Sequence, residues 1–387
     1  MIAKALRRKN IALAFENRFG GKPEIWCRAP GRVDLMGSHT DYNLGAVLTL
    51  PIGRDTWIAA RPNHTNAVNL HSLNLLDDAT FSLESVSKGA SPSWIDYVHG
   101  VAVMLREDGY VLHGFDGVVH STVPLGSGLS SSAALECATA TVFEALGGWH
   151  LPPLQKALLC QRAENRFVGV NCGILDQFTS CMGENGCALL LDCRDLSSQP
   201  VAIAQGIVIV ICDTKSKREL AGSEYGERRA QCEQGAGLLG ATALREVTTE
   251  IFRAREHELP PVVAKRCRFI IGEHERVAAL AAALTAGNRA AIRDLTAASF
   301  DGACNLYEIA APAMHSMMDA MLAAPGVIGT RQAGAGFGGC MVAFVEEALT
   351  SSFAAAVSNH YSNATGIVPE IYAVTAAAGA GRMEDFG

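Results

Sequence analysis

The sequence has few charged and few aromatic residues for its length, and its charge is not basic. Charged residues make up 18% of the 387 residues and aromatic residues 6%, whereas 49% are hydrophobic. The formal net charge of -7 argues against a nucleic-acid or anionic-membrane partner. So much apolar material in a chain of this length can bury a large core, and we expect two domains rather than one.

Paired cysteines and long hydrophobic runs are also missing from the sequence. None of the twelve cysteines belongs to a CxxC pair, and no histidines follow them at zinc-finger spacing. This usage is typical of buried, reduced thiols in a protein of the cytosol. No stretch approaches the ~20 apolar residues of a membrane span, and the basic N-terminus has no apolar run of signal-peptide length. We therefore expect a cytoplasmic protein.

Strand and helix patterns mix without a regular βαβ rhythm, which predicts an α+β fold. The predicted helices cover residues 1–20, 94–105, 131–146 and 152–168. The predicted strands cover residues 24–29, 47–52, 56–61, 117–121, 188–192, 207–212, 340–345 and 370–375. A polar, turn-rich segment at 194–205 predicts a domain boundary, with domains at 1–197 and 198–387.

Two glycine-rich segments in the first half carry polar side chains suited to binding. Residues 28–45, RAPGRVDLMGSHTDYNLG, place arginine, histidine and carboxylate groups in a turn, where they can hydrogen-bond sugar hydroxyls. Residues 123–134, VPLGSGLSSSAA, run into a predicted helix, whose N-terminal amides and dipole favour an anion. The second segment lacks the lysine of a Walker A loop. The alternatives are a solvated loop for the first segment and a serine-capped helix for the second.

Two further segments stand out. Residues 333–340, AGAGFGGC, formally contain GxGxxG, but a strand-like run follows, whereas a dinucleotide site needs a helix there. Their glycines instead favour a close approach of the backbone to another loop or to phosphate. In residues 171–178, NCGILDQF, Asp176 follows a glycine turn between apolar neighbours, which suits a base or an electrostatic partner for a sugar hydroxyl. A helix cap is the alternative for Asp176.

Five ordered stretches resemble the galactokinase family, which belongs to the GHMP small-molecule kinases. They are GRVDLMGSHTDYN, PLGSGLSSSAALE, CGILDQF, GSEYGERRAQCE and RQAGAGFGGCMVAFV. The resemblance runs from Arg28 to the loop at 334–339. It implies a two-domain α+β fold with the active site in the cleft between the domains. It also implies phosphorylation of galactose at its anomeric 1-hydroxyl by MgATP. We further expect a monomer and, from the acidic charge, no nucleic-acid or membrane partner.

The resemblance implies a role for individual residues as well. Asp176 is expected to be the catalytic carboxylate near the anomeric hydroxyl, with Arg32 beside it to stabilise charge on the transferring group. The expected sugar-binding residues are Ser38, His39, Asp41, Gly173 and Tyr225. The expected ATP-binding residues are Gly126, Ser127, Gly128, Leu129, Ser130, Ser131, Ser132, Gly334 and Gly336. Ser132 and Glu164 are expected near Mg²⁺.

Two positions depart from the usual family motif, GRVNLIGEHTDYN: Asp34 replaces asparagine and Ser38 replaces glutamate. In the family that glutamate reaches the C6 hydroxyl of the sugar. The shorter, neutral serine leaves room there and removes a charge that repels anions. Either galactose is still bound, or the substrate differs at C6, as galacturonate, 6-deoxy-galactose and arabinose do. An ion pair of Asp34 with Arg32 can hold that arginine in place or draw it away, and the sequence leaves this open.

Two other functions remain as alternatives at this point. Some galactokinase relatives sense sugar and ATP without catalysis, and they lack a Ser-Ala step in the second motif. Here Ser132-Ala133 is intact, which favours an enzyme. A GHMP kinase for mevalonate or homoserine fits less well, because those families do not combine the HTDYN and GSEY stretches.

Overall fold

The structure is a computed structural model that describes residues 2–89, 93–216 and 221–383. Its strands are β1 (Ile25–Met36), β2 (Ala46–Pro62), β3 (Ala67–Ser72), β4 (Asp77–Ser82), β5 (Phe115–Ser121), β6 (Cys187–Asp192), β7 (Ser198–Ala202), β8 (Ile207–Asp213), β9 (Val327–Gln332), β10 (Cys340–Glu346), β11 (Glu370–Val374) and β12 (Gly381–Arg382). Its α-helices are α1 (Ile2–Phe19), α2 (Ile95–Glu107), α3 (Ser131–Gly147), α4 (Pro153–Ala163), α5 (Leu175–Met182), α6 (Ala221–Leu238), α7 (Thr249–Arg255), α8 (Pro261–Ala286), α9 (Arg289–Gly302), α10 (Pro312–Leu322) and α11 (Thr350–Thr365).

The strands form two sheets. The larger runs in the order β12-β1-β2-β5-β3-β4, and β6 joins it beside β2 with β7 on its outer side. Its pairs are antiparallel except β3 with β5. The smaller sheet, β11-β8-β10-β9, is antiparallel throughout. Mixed helices and largely antiparallel sheets define an α+β fold, as the sequence predicted.

One hydrophobic cluster joins the two sheets. It contains Val33 and Leu50 from the larger sheet, Ile211 and Val342 from the smaller one, and the inner face of α8. Helix α8 begins with a proline in its first turn and ends at Gly287, whose φ of +65° suits glycine. Because apolar side chains from both sheets pack together here, the glycine-rich loops of the two halves are brought next to each other.

The structure differs from the predicted elements in informative places. The two strands predicted at 47–52 and 56–61 are one long strand, β2, whose first part pairs with β6 and whose second part pairs with β5. The helix predicted at 152–168 is α-helical only to Ala163 and then makes one wider π turn. The predicted boundary segment contains β7, which pairs with the larger sheet, as does β12. The domain division at 197/198 stays a prediction.

The structure bears on two sequence predictions, that the cysteines are unpaired thiols and that no segment spans a membrane. All twelve cysteines are free thiols, and most are buried. Among the described residues, no helix combines the length and the apolar character that crossing a membrane requires.

Candidate active site

A cavity of about 640 Å³ lies where the loops of the two halves meet. Every predicted site residue lines it except Ser127, Leu129 and Gly336. The predicted residues along its wall are Arg32, Ser38, His39, Asp41, Gly126, Gly128, Ser130, Ser131, Ser132, Glu164, Gly173, Asp176, Tyr225 and Gly334. Five segments that are far apart in sequence therefore converge on one space.

Arg32 and Asp176 form an ion pair on this wall. Nε and Nη2 of Arg32 donate to the same carboxylate oxygen at 2.9 and 2.5 Å, and Nη1 donates to the Gly128 carbonyl at 2.6 Å. The second carboxylate oxygen accepts from the Ser130 hydroxyl at 2.6 Å. Burial lowers the pKa of Arg32, but Asp176 and Asp34 raise it more, so the pKa is above its ordinary value. The guanidinium is therefore charged, and it orients a carboxylate that is still 26% exposed.

The glycine-serine loop before α3 is shaped by left-handed residues. Gly126 and Gly128 have φ values of +70° and +84°, and Ser130 has φ +62°, a conformation that is costly for serine. Ser130 therefore turns its hydroxyl towards the carboxylate instead of capping the helix. The first backbone amides of α3, from Ser131 onwards, have no intrahelical acceptor. They form the positive end of the helix dipole. This geometry suits a phosphate group.

Three predicted ATP-binding residues have other positions. The Ser127 hydroxyl donates to the Pro124 carbonyl at 2.9 Å, and the Leu129 side chain is fully buried in the core. Gly336 packs so closely that an added Cβ would lie 2.7 Å from the Ile309 carbonyl oxygen. These residues shape the loops with their backbone or pack behind them, and their contact with ATP stays a prediction.

Asp41 and Gly173 approach each other across the cavity. A Cβ at position 173 would lie 1.8 Å from the Asp41 carboxylate, so only glycine lets this carboxylate enter. Burial and the charge of Asp176 raise the pKa of Asp41 to about 6. At neutral pH the side chain is an anion that can accept hydrogen bonds from sugar hydroxyls.

His39 is held by protein partners on both ring nitrogens. Nε2 lies 2.9 Å from the Ala335 carbonyl and must donate, so Nδ1 accepts from the Tyr42 hydroxyl at 2.9 Å. The Tyr42 hydroxyl lies 2.7 Å from that of Tyr307, which completes the chain. Burial lowers the pKa of His39 to about 4, so the ring is neutral. The ring stacks near Tyr225 at 5.2 Å between centroids, and together they form an aromatic wall.

Glu164 and Ser132 place two oxygen ligands side by side. Glu164 accepts from the Gln177 amide at 2.5 Å and hydrogen-bonds Ser132. Burial and the charge of Asp176 raise the pKa of Glu164 to about 7. Within the described ranges, no group of three or more histidine, cysteine or acidic side chains is arranged to hold a metal. One carboxylate and one hydroxyl still fit Mg²⁺, which completes its shell with phosphate oxygens and water.

Ser38 belongs to a buried polar cluster with Asp34. The Ser38 hydroxyl lies 2.8 Å from a carboxylate oxygen of Asp34 and accepts from Arg331 Nη2 at 2.8 Å. Arg331 also contacts Glu273 at 3.1 Å. Asp34 thus pairs with Arg331, while Arg32 turns to Asp176. The question that the sequence left open is answered, because Asp34 does not draw Arg32 away from the cavity.

The sequence reasoning missed several polar groups on the cavity wall, among them Arg229, Asn171 and Cys172. Arg229 lies one turn after Tyr225 on α6 and donates to the Asn171 side chain at 3.2 Å. The four-residue spacing of Tyr225 and Arg229 in GSEYGERR could have indicated that both face the same side of a helix. Cys172 also lines the cavity, with its sulfur 3.4 Å from Glu164.

Comparison with known proteins agrees with this geometry. The galactokinase galactose-binding signature matches residues 13–62, and the N-terminal domain of the GHMP kinases matches residues 96–184. The galactokinases of Chloroflexus aggregans and Chloroflexus aurantiacus are both 41% identical to the chain, with alignments that cover 95% of it and 96% and 95% of those proteins. The crystal structure of Lactococcus lactis galactokinase complexed with galactose has a TM-score of 0.92 and 33% identity over 99% of this chain and 100% of that one. A mevalonate kinase has a TM-score of 0.62 at 15% identity, covering 92% of this chain and 100% of that one, which shows a common fold alone.

The fold and the matched N-terminal domain define a kinase of the GHMP class. Within this class the chain belongs to the galactokinase family, because its relatives match it at 41% identity over nearly its whole length. The α+β architecture and the resemblance read from the five motifs are confirmed.

Proposed function

We propose that the chain transfers the γ-phosphoryl group of MgATP to the anomeric 1-hydroxyl of galactose, giving galactose 1-phosphate and ADP. The observation that carries this proposal is the Arg32–Asp176 pair, which faces a cavity lined on one side by the glycine-serine loop before α3 and on the other by His39, Asp41 and Tyr225. The Lactococcus lactis galactokinase, whose structure was solved with galactose, supports the choice of sugar.

In this proposal Asp176 orients the attacking hydroxyl. One carboxylate oxygen accepts both donors of Arg32, whereas the other accepts only from Ser130 and keeps a lone pair that can accept the sugar proton. Phosphoryl transfer depends on in-line positioning and on charge stabilisation more than on covalent chemistry. The Arg32 guanidinium stabilises the charge that develops on the transferring group.

The glycine-serine loop and the start of α3 hold the phosphates of ATP in the same proposal. Glu164 and Ser132 would hold Mg²⁺, which supplies positive charge to the phosphate oxygens when it is bound. Asp41 accepts hydrogen bonds from ring hydroxyls, and the rings of His39 and Tyr225 cover the sugar. The residues named here all belong to one chain, and a monomeric enzyme is part of this proposal.

The test is ADP release by the purified protein with MgATP and galactose, galacturonate, 6-deoxy-galactose or arabinose. Preferred turnover of galactose is the expected result. A preferred C6-altered sugar would keep the kinase assignment and replace the substrate. Saturable binding of sugar and ATP without any turnover would instead identify a sensor.

A further inference from the structure

Gln177 is a buried glutamine that joins two carboxyl groups beside the cavity. It is fully buried and does not line the cavity, although it directly follows Asp176 on α5. Its amide nitrogen donates to Glu164 Oε2 at 2.5 Å and to Glu136 Oε2 at 3.0 Å. Neighbouring residues on a helix point about 100° apart. Helix α5 therefore carries Asp176 towards Arg32 and a second polar side chain towards Glu164.

The orientation of the Gln177 amide follows from these two partners. Its nitrogen has two N–H donors, and each finds an acceptor in one of the carboxyl groups. The contact with Glu136 fixes the plane of the amide and so directs the other N–H at Glu164. The Gln177 carbonyl oxygen is buried and has no hydrogen-bond partner in the part of the chain that the structure describes. A glutamine that served stability alone would pair this oxygen as well, because an unpartnered buried carbonyl is costly.

Glu164 is a carboxylate of the cavity wall that pairs with no cation of the protein. It is 6% exposed, and no lysine, arginine or histidine in the described ranges forms an ion pair with it, whereas Asp176 pairs with Arg32. It also begins the π turn that follows α4, and turns of this kind are frequent at functional sites. A buried carboxylate needs a partner for its charge. Ser132, in the first turn of α3, lines the same cavity beside amides that suit a phosphate group, which a divalent cation accompanies.

The groups that hold Glu164 do not supply this missing charge. Its Oε2 accepts from Gln177 and lies 3.4 Å from the Cys172 sulfur. An amide and a thiol orient a carboxylate without neutralising it. A lysine or an arginine in their place would neutralise it and repel a cation. Glu164 is thus held in one orientation, and its negative charge stays available to a cation in the cavity.

We propose that Gln177 is a positioning residue for a divalent cation: from the protein side, it holds the Glu164 carboxylate in the orientation that binds Mg²⁺. This inference deepens the proposed function and rests on it, because it takes Glu164 as a ligand of that ion. Side chains that orient a metal ligand without touching the metal typically contribute about 10–100-fold in metal affinity or activity. His39 and Asp41 belong to another segment, so the loss of Gln177 should weaken metal binding and leave galactose binding unchanged.

The test measures binding of Mn²⁺, which accepts the same oxygen ligands as Mg²⁺, by electron paramagnetic resonance. The samples are the ADP complexes of the wild type, Gln177→Met and Glu164→Gln, at pH 8, above the pKa of Glu164 of about 7. Methionine is similar to glutamine in length but cannot donate a hydrogen bond. We expect the Kd for Mn²⁺ to rise by about tenfold or more in Gln177→Met. Calorimetry should give an unchanged Kd for galactose in the same variant.

Thr179→Val is the matched control on the same helix. Thr179 is also fully buried, and its hydroxyl lies 2.8 Å from the Leu175 carbonyl oxygen and 3.1 Å from the Thr49 hydroxyl. This variant should lower stability and leave the Kd for Mn²⁺ unchanged. If Gln177→Met does not fold, Glu136→Met takes its place, because it removes the acceptor that fixes the amide plane and should also raise the Kd for Mn²⁺.

The outcomes distinguish this inference from the proposed function. A raised Kd for Mn²⁺ in Glu164→Gln but not in folded Gln177→Met would overturn the inference and leave the kinase assignment intact. Equal rises in Gln177→Met and Thr179→Val would also overturn it, because they would show a general loosening of α5. An unchanged Kd in Glu164→Gln would remove Glu164 from the metal site and the inference with it. Absence of turnover in the wild type would refute the proposed function alone, since Mn²⁺ binding does not depend on turnover.

Discussion

Two arginine–aspartate pairs begin on the same strand, and they differ in what surrounds them. Arg32 and Asp34 are two residues apart on β1, so their side chains leave the same face. In the first pair, the side chains of Arg32 and Asp176 are 8% and 26% exposed. In the second pair, those of Asp34 and Arg331 are both fully buried. The same chemical pair thus occurs once open to the cavity and once sealed from solvent, although Asp34 borders the cavity.

The difference shows how an ion pair can serve either reaction or architecture. In the open pair, the Asp176 oxygen that accepts from Ser130 keeps one lone pair, and the side chain is 26% exposed, so a substrate can reach it. In the sealed pair, Asp34 and Arg331 make their hydrogen bonds to protein groups: Asp34 accepts from Ser38, and Arg331 donates to Glu273. Buried ion pairs seldom add net stability, but breaking one leaves an unpaired buried charge. We therefore expect changes in the open pair to affect rate and changes in the sealed pair to affect stability.

The largest expected effect is on the open pair. Asp176→Asn should lower kcat by about 10²–10⁴-fold, because it removes the charged acceptor of the sugar hydroxyl. Its unfolding midpoint should change little, because the amide oxygen can still accept from Arg32. Steady-state ADP release and thermal unfolding measure the two quantities. A folded variant with wild-type kcat would show that Asp176 is not catalytic.

Arg331→Met should act in the opposite way on the sealed pair. It leaves Asp34 and Glu273 without their shared cation, and we expect a loss of about 3–5 kcal/mol in the free energy of unfolding. Urea titration followed by fluorescence measures this loss. Arg331→Lys, which keeps the charge, is the control and should lose less. Equal stability of Arg331→Met and the wild type would mean that the sealed pair does not contribute in the way its burial indicates.

Asp41 extends the comparison to a carboxylate without an arginine partner. Its pKa is raised from 3.8 to about 6, so the folded chain keeps a proton that the unfolded chain has lost between these values. This contribution to stability is therefore lost as the pH rises through that window. Asp41→Asn should stabilise the protein at pH 7 by up to about 3 kcal/mol, because each unit of the pKa shift corresponds to about 1.4 kcal/mol, and it should weaken sugar binding. Wild-type sugar affinity should fall below pH 6, and this dependence should be absent in the variant. Calorimetry at pH 5 and pH 7.5 tests both, and a variant with unchanged affinity would exclude Asp41 from the sugar site.

The sequence predicts the open pair far better than the sealed one. Arg32 and Asp176 lie in glycine-rich motifs with recognisable chemistry, and helix α3 follows the second motif as expected. Glu273 lies in the middle of a regular helix and carries no such local signal, and Arg331, although it begins the fifth motif, gains its role only from Asp34 near the other end of the chain and from Glu273. Long-range pairs of this kind are fixed by the packing of the two sheets.

The same limit explains the errors in secondary structure. Gly53 interrupts the apolar pattern of β2, so two strands were predicted where pairing with β1 keeps the chain extended. No strand was predicted in the polar run at 194–205, but it contains β7, which lies at the outside of the larger sheet, where one face and one edge can be polar. The domain boundary predicted in this run stays a prediction. In both cases the tertiary contact outweighs the local composition.

The smallest expected effect is at Ser130, where two substitutions distinguish the cost of the strained backbone from the contribution of the hydroxyl. This serine has a left-handed φ of +62° and makes no side-chain cap, and in the structure its hydroxyl donates to Asp176. Ser130→Gly and Ser130→Ala both remove that hydroxyl and should lower kcat equally. Only glycine relieves the strain, so Ser130→Gly should be more stable than Ser130→Ala by about 1 kcal/mol. Kinetics and urea unfolding of the two variants distinguish the contributions. A wild-type kcat in both would mean that Arg32 alone orients the carboxylate, whereas equal stabilities would mean that the loop relaxes without its serine.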